Sequence, residues 1–301
     1  MGMVLTLTAP LAAHPGSGIA VDSQGRVFFT AGATIVMVET NGTARTIVHD
    51  KVHEKFYQLH HIQRAPDGGL LTASDLGNAI WRFTPEGQLS RFYPPDSSAG
   101  TKAPVVGLGG DPFAVDRQGN VYAVSSVQFQ STWVYKITPE GKSNLLAGST
   151  WGFADGKGTA AKFANVHGGS MAVAEDGALL VTDNGSRVRR ITADGTVTTL
   201  ASSTRKAPME PCGLAVEANG NILFADSVGF IRRILANGNV VIVAGSRKGR
   251  SQDGPRFEAV LDRPTGIAIA SNGDAFVLEP GEPRVRKISE GRVVTVHKGL
   301  P

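Results

Sequence analysis

The chain has one cysteine, Cys212, which excludes an intrachain disulfide framework and leaves the compartment undecided. It has no run near the roughly 20 apolar residues a membrane-crossing helix needs, so no membrane span is expected. Charge of either sign is scarce: 30 Lys and Arg against 26 Asp and Glu leave a formal +4, spread along the sequence. That balance, without aromatics interleaved among the basic residues, disfavours a nucleic-acid partner. Catalytic signatures are missing too. Gly168-Gly-Ser-Met-Ala172 lacks the final glycine of a nucleophile elbow. Gly152-Phe-Ala-Asp-Gly-Lys157 has neither the spacing nor the trailing Ser or Thr of a phosphate loop. No His-Glu-x-x-His motif, calcium loop or dinucleotide fingerprint occurs, so no nucleotide cofactor is expected. The apolar segment Met1 to Ala13 ends in small residues but has no basic start, and reads as a strand rather than a secretory signal.

Glycine is what the chain has in quantity, 37 of 301 residues, and it falls in register. One unit returns six times: an apolar strand, a turn glycine, a second apolar strand, a third strand carrying Arg or Lys, a second turn glycine and a fourth strand. The clearest copies are Gly213-Leu-Ala-Val-Glu-Ala-Asn-Gly-Asn-Ile-Leu-Phe-Ala-Asp226 with Ile231-Arg-Arg-Ile234, and Ser170-Met-Ala-Val-Ala-Glu-Asp-Gly-Ala-Leu-Leu-Val-Thr-Asp183 with Val188-Arg-Arg-Ile191. The first turns use Gly25, Gly68, Gly119, Gly177, Gly220 and Gly273; the second use Gly42, Gly87, Gly141, Gly195, Gly238 and Gly291. A unit of this length cannot bury its own apolar faces, so the copies must stack. Six units of four antiparallel strands predict an all-β, six-bladed β-propeller, a single domain over 1–301. The blades fall at about 14–48, 58–93, 107–148, 167–201, 209–245 and 261–297. Segment 1–10, through Val4-Leu-Thr-Leu7, is expected to latch the last blade, in competition with Val293 to Val296.

Units four to six resemble NHL repeats, and the linker Ala147-Gly-Ser-Thr-Trp-Gly-Phe-Ala-Asp-Gly-Lys-Gly-Thr-Ala-Ala-Lys-Phe163 is similar to the connector of bacterial NHL propellers. Units one to three depart most, through the short turn Gly32 to Ile35 and the long segments Pro94 to Gly110 and Ser125 to Trp133. Loops that break a repeat are where asymmetric sites are built.

In a propeller the first strand of each blade lines the channel, so the residue eight before each first turn glycine rings its mouth. Those residues are Ser17, His60, Asp111, Gly169, Cys212 and Thr265, with His14, His61 and His167 flanking them. The acidic ends of the second strands, Asp75, Asp183, Asp226 and Glu279, fall nearby. They are expected to brace the following turns, with Glu279, before Pro280-Gly-Glu-Pro283, the freest. The ring also resembles two more distant propeller families. His60 matches a zinc histidine of the peptidyl-hydroxyglycine amidating lyases, and Asp111 in Gly110-Asp-Pro-Phe113 matches a metal-binding carboxylate of the gluconolactonase family.

His60, Asp111 and His167 could together hold one divalent metal (Ca, Zn or Mg), if the Gly168-Gly169-Ser170 bulge swings His167 inward. Without a metal, a neutral imidazole beside a carboxylate is an acid–base pair near neutral pH. Strand alternation aims His61 away from His60, making it a lesser catalytic candidate. Tyr57, Phe129, Trp133 and Trp151, with Asp75, Cys212 and Glu279, are candidates to line a small-molecule pocket. Cys212 reads better as a small buried thiol, and the pairs Arg189-Arg190, Arg232-Arg233 and Arg286-Lys287 as solvated blade faces. The function expected is hydrolase or lyase chemistry on an ester, lactone or similar polarised bond of a small molecule. The alternative is a non-catalytic propeller that binds a protein, peptide or glycan on its top face.

Overall fold

Short runs of β-branched and aromatic residues, closed by glycine turns, fold into six antiparallel sheets whose strands follow one another in sequence. The structure is a computed structural model describing residues 18–49, 59–65, 67–74, 79–93, 111–127, 130–183, 185–246 and 250–301, without the side chains of 60 and 74. All twelve expected turn glycines adopt positive φ, between 74° and 89°. At Gly87 and Gly195 close approach adds to the demand. A Cβ there would lie 2.1 Å from the Ile47 carbonyl oxygen and 2.4 Å from that of Leu146, on the outer strand of the preceding blade.

The innermost strands of blades one to six are Ile19–Val21, Leu59–Arg64, Phe113–Val115, Met171–Val173, Pro211–Val216 and Gly266–Ile269. Residues from all six line a central cavity of about 300 Å³. Four sheets have four strands. Blades four and six have a fifth, because the linkers before them add Gly156–Lys157 outside Thr196–Ser202 and Gly254–Pro255 outside Arg292–Lys298. The uniform four-strand expectation is corrected there.

Each of the six apolar clusters is a seam between neighbouring blades. Phe28, Ile35 and Met37 of blade one meet Leu59, Ile62 and Phe83 of blade two. The ring closes in the same way, with Ile19, Val27, Phe29 and Val36 packed on Phe276, Leu278 and Val285. Val293 to Val296 belongs to the fourth strand of blade six. The latching segment expected over 1–10 lies outside the described residues.

Two of the arginine pairs do not present solvated faces on both sides. Arg189 is buried, its guanidinium donating to Asp183 (2.8 Å), to Asp155 (2.9 Å) and to the carbonyls of Ala154 and Lys162. Arg286 repeats this with Glu279, Asp253, and the carbonyls of Gln252 and Val260. The linker aspartates Asp155 and Asp253 also accept from the N–H and hydroxyl of Thr199 and Thr295. Each five-stranded blade is thus clamped to its incoming linker by one buried arginine. The strand partners Arg190 and Lys287 face outward and pair with Asp176 and Asp274.

Candidate functional site

The regular blades spend their second-strand carboxylates on structure. Asp183 accepts the backbone N–H groups of Ala164 and Asn165 as well as Arg189. Asp226 accepts those of Glu210 and Val228 and the Nε–H of Arg232. Glu279, expected to be the freest, is 1% exposed; it accepts from the Asp262 N–H, Ser251, Arg284 and Arg286. That expectation is corrected: a carboxylate buried against two arginines and an N–H has no lone pair to spare for a ligand.

Blade three departs. Its second strand, Val121–Val127, carries Ser125, followed by Ser126, where blades four to six carry an acid. The carboxylate arrives instead from Asp111, two residues before the innermost strand. Both its oxygens accept from the Ser126 hydroxyl, at 3.1 and 3.0 Å, and Oδ1 lies 3.0 Å from Nδ1 of His167. The Asp111 side chain is 5% exposed and the His167 ring 36%, so the pair has a shielded carboxylate and an accessible imidazole. His167 lies in a tight turn closed by the Gly169 N–H donating to the Val166 carbonyl, with Gly168 at φ 69°. Gly169 admits no side chain, since a Cβ would lie 2.4 Å from the Thr182 hydroxyl.

A carboxylate only accepts, so Nδ1 carries the proton in this bond and Nε2 of the neutral ring carries the lone pair. Ser126 is bound to the carboxylate and not to the imidazole. That order is wrong for a serine nucleophile, whose hydroxyl must donate to the histidine. Ser126 therefore holds Asp111 in place. It was missed in the sequence, where the only trace is the missing acid at the end of that strand.

The other candidates are scattered. His60 lies in the strand Leu59–Arg64, with its side chain outside the described residues. His61 is buried and lines the channel, its carbonyl accepting from Thr72. Simple alternation fails there because a bulge interrupts the register between Leu59 and Ile62. A matching bulge between Pro211 and Leu214 carries Cys212. Its thiol donates to the Glu210 carbonyl at 3.5 Å, and burial pushes it up to about 11. Trp133 is half-buried opposite Ser125 and Gly148. Trp151 is exposed on the linker, and Phe153 beside it stacks under the Arg187 guanidinium. Tyr57, Asp75 and Phe129 lie outside the described residues, as do Ser17 and His14.

Among the described residues no three His, Cys, Asp or Glu side chains gather to hold a metal ion. Asp111 and His167 supply two donors, one fewer than a tightly held divalent ion asks of the protein.

No protein-family model matches the chain, and no curated protein matches its sequence. Solved structures match along nearly its whole length. It is similar to a catalytically inactive histidine-to-alanine variant of virginiamycin B lyase from Staphylococcus aureus, with quinupristin. That match has 18% identity and TM-score 0.57, covering 93% of this chain and 83% of the other. A gluconolactonase from Xanthomonas campestris matches with 12% identity and TM-score 0.63, over 93% and 86%. The calcium-binding protein regucalcin from Agrobacterium tumefaciens matches with 14% identity and TM-score 0.61, over 95% and 94%. At such identities the likeness establishes the propeller fold and leaves the chemistry to the site.

Proposed function

We propose that the His167–Asp111 pair is an acid–base site at the channel mouth of a hydrolase or lyase acting on a small molecule with an ester, lactone or similar polarised bond. The observation that carries this is the 3.0 Å contact between Nδ1 of a partly exposed imidazole and a buried carboxylate held by Ser126. His167 Nε2 takes a proton and Asp111 stabilises the imidazolium. In a hydrolysis the proton comes from water as its oxygen adds to the carbonyl, and returns to the departing alkoxide. In an elimination it comes from the carbon beside the carbonyl. A double bond forms from that carbon to the next as the bond from the next carbon to the leaving group breaks, and the imidazolium returns the proton to the leaving group. Proteins of similar fold include a lyase and a gluconolactonase, so the ring can host either chemistry. The Asp-Gly linkers that enter blades four and six support reading the repeat as NHL-type.

A screen of lactones, esters and elimination substrates tests the site. The expected result is turnover that falls by about 10²–10⁴ in His167→Ala and markedly in Asp111→Asn. Turnover unchanged in both variants overturns the assignment; no turnover of any class, with a protein, peptide or glycan retained on the top face, favours the binding module. The reading takes no step through a metal. Metal content of protein purified without chelator, beside a His60→Ala variant, tests whether His60 completes a third ligand. Near-stoichiometric metal lost in the variant is the result that adds a cation to the site.

A further inference from the structure

Blades four, five and six share a device in which the acid ending the second strand accepts a backbone N–H from the segment leading into its own blade. Asp226 holds Glu210 and Glu279 holds Asp262. In blade four the same device holds Ala164 and Asn165, at 2.9 and 3.1 Å, and here the held segment carries a histidine. Asn165 passes the constraint on, because its side-chain oxygen accepts the backbone N–H of His167 at 3.1 Å. Behind Asp183 stands buried Arg189, itself tied to Asp155 and two linker carbonyls. Hydrogen bonds from the outer edge of blade four therefore hold the backbone of the segment whose His167 imidazole reaches Asp111 in blade three.

We propose that Asp183 and Asn165 are positioning residues for the His167–Asp111 pair, setting the height and angle of the imidazole so that Nδ1 meets the Asp111 carboxylate. This rests on the reading of that pair as the working site. A brace shared by blades four to six is turned to a local use in blade four, whose entry segment bears a histidine beside the carboxylate that Ser126 holds in the neighbouring blade. Orientation is worth this machinery, since an imidazole displaced by about 1 Å loses the geometry that proton transfer needs, at a cost on the order of 10²-fold in rate.

The readout is the tautomer of the His167 ring in ¹H–¹⁵N correlation spectra above its titration, which depends on no substrate. Wild type should show the Nδ1–H form, and Asp111→Asn sets the scale for a released ring. Asn165→Ala and Asp183→Asn are expected to move His167 toward that released signature. Asn165→Asp, which keeps the acceptor, should restore it. Asp226→Asn breaks the equivalent brace in blade five and should leave it alone. A wild-type tautomer in both Asn165→Ala and Asp183→Asn overturns the proposal, as does an equal shift in Asp226→Asn. If Asp183→Asn does not fold, the Asn165 pair decides. Should His167→Ala retain turnover while the tautomer shifts as expected, the catalytic reading fails and the positioning stands.

Discussion

Cys212 and the turn glycines show how a single residue's surroundings set its chemistry. Burial disfavours the Cys212 thiolate; hydrogen bonds with Ser227 oppose that, while the Asp226 and Glu210 charges reinforce it, and the thiol ends near 11. At pH 8 its alkylation by iodoacetamide should be roughly 20-fold slower in the folded protein than in urea, after allowing for the greater nucleophilicity of the thiolate that does form. Equal rates would mean an open, reactive thiol. Among the glycines, Gly87 and Gly238 both need positive φ, but only Gly87 lies against a neighbouring carbonyl, with open space beside Gly238. Gly238→Ala should cost about 1–2 kcal/mol from backbone strain alone. Gly87→Ala should cost roughly 2 kcal/mol more from overpacking, read from denaturation midpoints.

Within a blade the decisive element is the buried arginine and the linker it grips. Arg189→Ala strands Asp183 without its counter-charge and should cost about 3–5 kcal/mol. Arg190→Ala removes only an outward pair with Asp176 and should cost less than about 1 kcal/mol. The sequence shows both as neighbours on one strand; which faces inward depends on the blade packed beside it. The linker aspartates give the clamps a pH dependence. Burial works against the charge on Asp155, but Thr199 and Arg189 outweigh it and hold the carboxyl below its usual range. Thr295 and Arg286 do the same for Asp253. A depressed folded value means the stabilisation is full above about pH 4 and drains away as pH falls through the folded value. An Asp155→Asn/Asp253→Asn variant should be less stable at pH 7 and show a flatter loss as pH falls below about 4. Parallel acid profiles for variant and wild type would contradict this.

At the scale of the whole ring, every described apolar cluster is shared by two blades, so no blade owns its core. Phe29 at the six–one seam and Phe163 at the three–four seam are both fully buried. Replacing either with Ala should cost about 3–5 kcal/mol and leave one cooperative transition. Two resolved transitions in calorimetry would show instead that groups of blades melt separately. Each sheet is complete in itself among the described residues, so the blade one–blade six closure seen there is apolar packing, as at the other seams.

What the sequence determined by itself is the part written locally and repeated: strand periodicity, twelve turn glycines and hence six blades. Asp111 was also legible as a ring position, because the turn glycines index every blade to the same register; His167, two residues outside that index, was legible only as a flanking candidate. What only the tertiary structure decided is which polar groups are already taken. Glu279 reads in the sequence as the freest of the second-strand acids, yet buried Arg286 and the Asp262 N–H consume it. Asp183 and Asp226 are braces, but their partners are arginines and backbone N–H groups that the sequence does not pair with them. His61 needed the bulge at Leu59 to reach the channel, and Ser126 needed the folded hairpin to reach Asp111. Pairing across blades depends on distance in space, and periodicity along one strand does not carry it.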